Sequence, residues 1–284
     1  MKIMALADVH QSENHWKMLV KAVQDNRPDL VVIAGDLLPK YDGILAQVSF
    51  VPQLREHAFN IKECGSELIL ILGNDDNQLV IPEMIKGDDQ GLWHYVADRV
   101  KEVKGYQFCG CPWIRDYPFA YKYWVAPDSS EEVFIDPVQL GPPAVINSEN
   151  EIELIFDLKT YLEKKVSVTK SLEDMASQVN ILAHSIWLIH DPPVNMEFDL
   201  CATGDKVGSP AVYRFLAEKQ PLLSIHGHIH EAPVYNGGIW AGKLGNTMCI
   251  QPGQPEDYLH YVIFNLENGN INNLVHSVYG KYEN

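Results

Sequence analysis

The stretch Leu223-Ser224-Ile225-His226-Gly227-His228-Ile229-His230 is a short apolar run that stops at a glycine and carries three histidines at its end. Taken alone, histidines beside a strand are more often packing or surface residues than metal ligands. The stretch becomes informative because four other apolar runs in the chain end in a similar way. Metal-binding side chains at five strand ends bear on both the fold and the function.

The four other strand ends supply carboxylates, an amide and two further histidines. They are Asp8-Val9-His10, Gly35-Asp36, Gly73-Asn74-Asp75-Asp76 and His190-Asp191. Each of them alone is compatible with an ordinary turn. Strand ends that only turned would be rich in Gly, Asn and Ser, with no reason to supply histidines and aspartates in this order. The joint pattern therefore predicts a shared metal centre.

The amino-terminal part of the chain predicts a parallel sheet with helical crossovers. Strands are expected at 1–7, 30–34 and 67–72, because these runs are apolar on both faces. Helices are expected after an N-cap at Ser12 and over about 53–64. In such sheets ligands collect at the carboxyl ends of the strands, which is where the acidic residues and histidines stand.

The remainder of the chain predicts a second, more antiparallel sheet that the tail completes. Expected strands are a hairpin of 99–103 and 106–108, then 185–189, 223–225, 247–250, 260–264 and 273–278. Expected helices lie near 154–165, 171–179 and 209–219. An aromatic-rich insert at about 113–150 has no periodicity, and its aromatic content predicts an ordered loop or lid.

Composition and charge exclude several classes of partner. The chain has 284 residues, 46% of them apolar, which suits one large domain or two small ones. Its formal net charge of -16 argues against a general affinity for extended nucleic acid or for anionic membranes. An anionic substrate would need a local positive charge, and a bound metal ion is the most direct source of one.

The cysteines and the first residues indicate where the protein resides. Five cysteines without a framework-like spacing fit a reducing compartment, and Cys109-x-Cys111 is more readily two buried small residues than a metal or redox motif. The first strand begins at once, which leaves no room for a signal peptide. No run approaches the ~18 apolar residues of a membrane span. We therefore expect a soluble, cytoplasmic protein.

The predicted donor set favours two divalent cations. Imidazole, carboxylate and amide donors without thiolates suit Mn, Fe, Ni or Zn in an open site, and we expect manganese. Two ions about 3.5–4 Å apart can hold both the attacking and the leaving oxygen of a phosphoryl displacement. One carboxylate must then bridge the ions. Two anionic ligands against two divalent cations leave an excess of about two positive charges to hold a phosphate.

Together, Asp8-x-His10, Gly35-Asp36, Gly73-Asn74-x-Asp76, His190 and Gly227-His228-x-His230 resemble the motifs of the calcineurin-like metallophosphoesterases. The stretch from Gly204 to Glu231, followed by Gln251-Pro252-Gly253, is similar to a small prokaryotic branch of predicted phosphoesterases. The resemblance implies a single domain over 1–284 of the α/β class, built as a four-layer α/β/β/α sandwich of two mixed β-sheets flanked by helices.

The resemblance also implies a specific set of ligands. One metal ion would be held by Asp8, His10, Asp36 and His230, and a second by Asp36, Asn74, His190 and His228. Asp36 would bridge the two ions, and a bridging hydroxide would be the nucleophile.

Residue 75 departs from the family pattern. The family usually has a histidine after the asparagine, which protonates or neutralises the leaving oxygen, and here that residue is Asp75. An ionised Asp75 would repel a phosphate, and a protonated one needs a pKa well above its usual ~3.9. Because family members without this histidine tend to favour phosphodiesters, we expect diester hydrolysis. Asp36, Asn74 and Asp75 are the candidate catalytic residues.

Other residues are candidates for supporting roles. The leaving group could be assisted by the metals, by a water molecule or by another histidine such as His94, whereas His184 and His226 are more readily structural. Asp76 is expected to orient Asn74 or the histidine ligands from outside the centre.

Two other functions stay open on the sequence alone. The first is a phosphomonoesterase or protein phosphatase of the same fold, against which the absent histidine counts. The second is a non-catalytic metal-binding scaffold, against which the complete donor set counts. The expected substrate is a small phosphoester or nucleotide-like molecule, and the sequence leaves the existence of a homo-oligomer open.

Overall fold

The computed structural model of the protein describes residues 1–11, 13–40, 44–117, 121–129, 144–147, 152–255 and 258–283. The predicted cap Ser12 and much of the predicted insert lie outside the described residues. The strands are β1 Lys2–Leu6, β2 Leu30–Ala34, β3 Glu67–Ile71, β4 His94–Tyr95, β5 Val100–Val103, β6 Tyr106–Cys111, β7 Ala144–Asn147, β8 Ile152–Ile155, β9 Ser185–Ile189, β10 Leu223–Ile225, β11 Ala241–Leu244, β12 Thr247–Ile250, β13 Val262–Glu267, β14 Asn270–His276 and β15 Gly280–Lys281. The helices are α1 Glu13–Asn26, α2 Ile44–Glu63, α3 Ile81–Asp89, α4 Leu158–Leu162, α5 Val168–Ala176, α6 Pro210–Lys219 and α7 Ala232–Tyr235.

Seven strands form the first sheet in the order β15-β14-β13-β1-β2-β3-β4. Strands β1 to β4 run parallel to one another, as the amino-terminal pattern predicted for the first three. Strand β13 pairs antiparallel with β1, with Phe264 opposite Ile3, and β14 pairs with β13. The prediction that these tail strands complete the second sheet is therefore wrong. They cover the edge of β1, whose backbone groups on that side would otherwise be unpaired.

Six strands form the second sheet in the order β11-β12-β10-β9-β6-β5. The expected hairpin is present as β5 and β6, and the tail strand β12 is in this sheet as predicted. The four central strands are parallel to one another, and only the edge strands β5 and β11 are antiparallel, so the expectation of a more antiparallel sheet is wrong. Helix α6 provides the crossover that two parallel strands such as β9 and β10 require.

Side chains of the second sheet alternate between two cores. Phe108 and Leu188 pack together with residues of the first sheet. Their neighbours Cys109 and Trp187 point the other way and pack with residues of α5 and α6. Trp16 of α1 is buried in the core that contains the first sheet. Two mixed sheets flanked by helices are thus present, which confirms the predicted fold class.

Helix boundaries differ from the prediction where proline or glycine obscured them. Helix α2 begins at Ile44 instead of about 53 and contains Pro52, which removes one backbone hydrogen bond without ending the helix. Helix α3 was not predicted. Its start carries Pro82, and Gly87 interrupts its pattern because the Trp93 ring lies where a side chain would be. The predicted helix near 154–165 is shorter, since Ile152–Ile155 form β8.

Three further predictions concern the cysteines, membrane-spanning helices and the number of domains. Cys109 and Cys111 are buried, as expected of small core residues. In the described part of the chain, no helix combines the length and the hydrophobicity needed to cross a membrane. The single domain over 1–284 stays a prediction.

The two sheets make a close contact at Gly110 of β6. A Cβ atom on this residue would lie 2.4 Å from Cγ2 of Ile71, in the first sheet, and 2.5 Å from the carbonyl oxygen of Val96. Gly242 of β11 is a useful comparison, because its nearest neighbour is the flexible Cε of Met196 at 3.4 Å. Neither glycine has a positive φ, so space alone distinguishes them.

We predict that Gly110→Ala lowers the free energy of unfolding by about 1–3 kcal/mol, because the added methyl group forces the two sheets apart. Gly242→Ala should change it by less than about 0.5 kcal/mol. Urea denaturation of both variants measures the difference. Equal effects would show that Gly110 does not set the spacing of the sheets.

Candidate metal centre

The carboxyl ends of five strands from the two sheets meet at one place. Within the first sheet, the backbone N–H of Asp8 donates to the carbonyl oxygen of Gly35 at 3.0 Å, which joins the ends of β1 and β2. Within the second sheet, the N–H of Gly227 donates to the carbonyl oxygen of His190 at 3.0 Å, which joins the ends of β9 and β10. A bond between the sheets completes the junction, since the N–H of His228 donates to Oδ1 of Asp8 at 3.0 Å.

Four of the predicted ligands form one compact group. Each of these residues offers one ligand atom, and the four atoms lie within 4.8 Å of one another: Asp8, His10, Asp36 and His230. The two imidazoles face each other, with 3.2 Å between His10 Nε2 and His230 Nε2. Asp8 Oδ1 lies 3.6 Å from His230 Nε2. This group contains the same four residues that the family resemblance assigned to a first metal ion.

The other predicted donors lie on the opposite side of Asp36. Asn74 Oδ1 is 2.9 Å from His190 Nε2 and 2.5 Å from His228 Nδ1. Asp36 Oδ2 connects the two groups, since it lies 3.6 Å from His10 Nε2 and 3.4 Å from His190 Nε2. The structure thus brings all seven predicted ligands together, and their role in holding metal ions stays a prediction.

Three of these residues have an unusual backbone conformation. Asp8, Asp36 and His228 have φ values of 58°, 53° and 69°, in the left-handed region that L-residues seldom adopt. Such residues each cost of order 1–3 kcal/mol and tend to occur at functional sites. Gly73 is needed for space, because a Cβ there would lie 2.3 Å from Asp36 Oδ1 and 2.7 Å from His190 Cε1. The fold therefore accepts local strain to place these side chains.

The burial and the pKa values of the two carboxylates are those expected of a cation-binding site. Asp8 Oδ2 is buried and has no hydrogen-bond partner among the described residues. Burial, together with the charge of Asp36, raises the pKa of Asp8 to about 7. Burial lowers the pKa of His190, but the attraction of Asp36 outweighs this effect and raises that pKa to about 10. Both shifts have one cause, an uncompensated negative charge away from water, which a divalent cation would neutralise.

The remaining histidines suit the same role. Burial lowers the pKa of His10 to about 4 and that of His228 to about 3, and it holds the pKa of His230 well below its usual value. Neutral imidazoles keep the lone pair that a metal ligand needs. Nδ1 of His190 lies 2.8 Å from the carbonyl oxygen of Ala34, which leaves Nε2 turned towards Asp36 and Asn74. The donor set thus fits divalent metal ions.

One family of known proteins matches most of the chain. A model of the calcineurin-like phosphoesterases matches residues 1–232. The chain belongs to the calcineurin-like phosphoesterase family. Members of this family hydrolyse phosphoester bonds with divalent metal ions, so the chain is a metallophosphoesterase by family. No curated protein matches the chain in sequence.

One solved structure shares the fold of this chain, and two others are similar over most of their length. The crystal structure of the protein TT1561 of Thermus thermophilus is 14% identical, with 95% of this chain and 96% of that chain covered and a TM-score of 0.57. A structure of a novel archaeal phosphodiesterase covers 97% and 99% at 12% identity with a TM-score of 0.45. The E. coli phosphoesterase Yfce covers 94% and 89% at 16% identity with a TM-score of 0.36. At 14% identity, the TT1561 structure supports the fold alone.

Asp76 supports the centre through the backbone. Its buried carboxylate accepts hydrogen bonds from the N–H groups of Leu37 and Leu38, at 3.0 and 2.8 Å, and from that of Gly73 at 2.9 Å. Asp76 therefore ties the segment after Asp36 to the segment before Asn74. It orients two loops and not, as expected, the side chain of Asn74 or of a histidine.

Three contacts near the centre were not predicted from the sequence. The Lys40 ammonium lies 2.6 Å from Asp75 Oδ2. Gln47 in α2 donates to the carbonyl oxygen of Asp75 at 2.7 Å. The Tyr117 ring, from the predicted insert, packs edge-on against His228 with ring centroids 4.3 Å apart. The signals were present, since Lys40 closely follows Asp36 and the insert is rich in aromatic residues, but only the fold reveals the contacts.

The other histidines considered from the sequence lie elsewhere. His94 begins β4 and its Nε2 is 2.9 Å from Glu67, the first residue of β3, so it stands at the amino end of the sheet, opposite the centre. His184 precedes β9 and is likewise at the amino end of its strand. His226 is buried, with Nδ1 2.9 Å from the carbonyl oxygen of Ile189. The expectation that His94 assists the leaving group is wrong.

We predict that Asp36→Asn lowers the manganese content of purified protein from about two ions per chain to below about one. The amide keeps an oxygen to accept the N–H of Asp75 but lacks the charge that both donor groups share. His94→Gln, at the opposite end of the sheet, should keep the wild-type content. Elemental analysis measures the metal, and EDTA should lower the melting temperature of the wild type and of His94→Gln but not that of Asp36→Asn.

Proposed function

We propose that the protein is a phosphodiesterase with a centre of two divalent metal ions, and that both ions are manganese. The first ion would be held by Asp8, His10, Asp36 and His230, and the second by Asp36, Asn74, His190 and His228. Two such ions, when bound, would neutralise the charge of a phosphate group and lower the pKa of a water molecule.

The position of Asp36 is the observation that carries this proposal. Its Oδ2 is 3.6 Å from a histidine of one donor group and 3.4 Å from a histidine of the other. A carboxylate shared in this way is what a site for two ions requires. A scaffold without catalysis would have no need of two buried acids at backbone angles that cost free energy.

The chain holds this arrangement through fixed hydrogen bonds. The N–H of Asp75 donates to Oδ1 of Asp36 at 2.8 Å, so that Oδ2 is left to face the histidines. The N–H of His228 orients Asp8 in the same manner. Donors that are fixed in advance need no rearrangement during the reaction, and preorganised electrostatics of this kind is the usual source of large rate accelerations.

Asp75 is the residue that bears on the choice between diester and monoester. Burial and the charge of Asp36 raise its pKa, whereas the neighbouring Lys40 lowers it. Paired with that ammonium, the carboxylate has no proton to give to a leaving oxygen. A phosphate monoester also carries about -1.5 to -2 charges near pH 7, against one for a diester, and is repelled more strongly by an acidic side chain. Both considerations favour diesters.

The proposed substrate is a small or nucleotide-like diester. The net charge of -16 makes a general electrostatic attraction of long nucleic acid unfavourable, since no excess of basic residues compensates it. The proposed location is the cytoplasm.

We predict that the manganese-loaded protein hydrolyses bis-p-nitrophenyl phosphate with a kcat/KM at least about tenfold above that for p-nitrophenyl phosphate, because the imidazole proton donor is absent. Release of p-nitrophenol measures both rates. A reversed ratio would identify a monoesterase, and a metal-loaded protein without either activity would favour the scaffold.

We also predict that Asp75→His raises kcat/KM for p-nitrophenyl phosphate about tenfold or more, because an imidazole beside Asn74 can protonate the leaving oxygen. Asp75→Asn is the control, since it also loses the carboxylate that pairs with Lys40 but gains no proton donor. If the two variants have the same ratio of monoester to diester hydrolysis, residue 75 does not determine the preference.

A further inference from the structure

The ion pair of Lys40 and Asp75 lies at the edge of the metal centre. The distance between the ammonium and Oδ2 of Asp75 is 2.6 Å, and the Lys40 side chain is 39% exposed. The Asp75 side chain is only 11% exposed, and ion pairs with a solvent-exposed partner typically contribute little to stability, about 0–1 kcal/mol. Stability alone therefore gives little reason for placing a lysine here.

Asp75 itself is anchored to the centre. Its backbone N–H donates to Asp36 Oδ1, and its Oδ1 accepts a hydrogen bond from Nδ2 of Asn74 at 3.1 Å. A lysine held on Oδ2 of Asp75 is thus one side chain away from two of the predicted metal ligands.

Gln47 binds the backbone next to both members of the ion pair. Its buried side chain, in α2, donates from Nε2 to the carbonyl oxygens of Pro39, at 3.2 Å, and of Asp75, at 2.7 Å. Its Oε1 accepts the N–H of Asn77 at 2.8 Å. One glutamine thereby joins the backbone on the amino side of Lys40 to the loop that carries Asp75. The ion pair of Lys40 and Asp75 is thus supported by hydrogen bonds to the backbone beside each of its members.

Tyr123 supplies an independent observation at the same place. Its hydroxyl group is buried and has no hydrogen-bond partner among the described residues. The next residue in the chain, Trp124, donates from Nε1 to the carbonyl oxygen of Asp76 at 2.7 Å, which places this segment beside the loop that carries Asp75. The loop beside Asp75 holds the segment, because Nε2 of Gln78 donates to the Tyr123 carbonyl oxygen at 2.6 Å. A buried donor without a partner is costly unless a ligand satisfies it.

We propose that Lys40 and Tyr123 donate hydrogen bonds to the phosphoryl oxygens of the substrate, and that Asp75 and Gln47 are positioning residues for Lys40. The inference rests on the proposed function, and it makes a phosphodiester monoanion the ligand of this subsite. No proton is transferred. The ammonium offers charge and a hydrogen bond, while Asp75 cancels the excess charge until the phosphate arrives. Asp75 thus becomes compatible with an anionic substrate, which the sequence alone left unexplained.

The test compares Lys40→Met and Lys40→Arg with Lys104→Met in the full, manganese-loaded chain. Lys104 is a matched control, because it is 38% exposed and lies 2.7 Å from Glu67 in a pair at the amino end of β3. Calorimetry measures the affinity for inorganic phosphate, elemental analysis measures the metal, and bis-p-nitrophenyl phosphate gives kcat and KM.

Lys40→Met should weaken phosphate binding about tenfold or more at unchanged metal content, because a hydrogen bond from a charged group is lost. Lys40→Arg should stay within about threefold of the wild type, and so should Lys104→Met. Phosphate binding by Lys40→Met equal to that of the wild type would overturn the inference.

Tyr123→Phe provides a second test that a merely structural role would not pass. Since the hydroxyl has no partner in the described chain, its removal should leave the melting temperature unchanged or higher. The affinity for phosphate should fall about threefold to tenfold. A lower melting temperature with unchanged phosphate affinity would overturn the role of Tyr123.

The two proposals fail in different ways. If the wild type binds phosphate more tightly than Lys40→Met but hydrolyses no ester, the inference stands and the proposed phosphodiesterase falls. If the wild type hydrolyses diesters and Lys40→Met does so with the same kcat, KM and phosphate affinity, the inference falls and the proposed function stands.

Discussion

The electrostatic coupling of two buried carboxylates to the histidines around them is the constraint on which this structure depends. Asp8 and Asp36 lie where the two sheets meet, away from water, and burial together with the charge of Asp36 raises the pKa of Asp8 although His190 lowers it. The raised pKa of His190 is one sign of this need for a cation. The left-handed backbone at three residues and the missing side chain at Gly73 are others, because they bring the acids and histidines closer than an unstrained chain would allow.

The strand ends could be predicted from the sequence because the signal is local. An apolar run followed by Asp8 or Asp36 contains both the strand and the ligand in a few residues, and parallel pairing then brings such ends together. The allocation of strands to sheets is not local. Nothing in β13 distinguishes a partner in one sheet from a partner in the other, so the tail was placed wrongly. The predicted length of helix α2 was too short for a related reason. Packing of the helix's buried residues outweighs the local effect of Pro52, so the helix extends to both sides of this proline.

The residues around the centre were harder to predict than the ligands themselves. A metal ligand is recognised by residue type, whereas a supporting residue is recognised by what it touches. Asp76 acts on backbone N–H groups, Gln47 acts on carbonyl oxygens, and Tyr117 acts through ring packing. In the sequence, each of these residues is recognisable only as a polar or aromatic residue, and nothing there identifies the group that it contacts. Asp76 is an example. The sequence indicated a residue that supports the centre from outside, but the groups that Asp76 binds are backbone N–H groups and not a ligand side chain.

Charge at two length scales explains how an acidic protein can accept an anion. The net charge of -16 acts over the whole surface, where salt screens it within about 10 Å. At the centre, water is excluded and a nearby charge acts with far less screening. On the proposed function, a phosphate that reaches the strand ends would be governed by bound cations and by Lys40, not by the distant acidic surface. Asp75 positions Lys40 for this proposed purpose, and a histidine at residue 75 would leave the ammonium without that partner. On this reasoning, the aspartate at residue 75, where the family usually has a histidine, and the lysine at residue 40 belong together, because each needs the other as its partner.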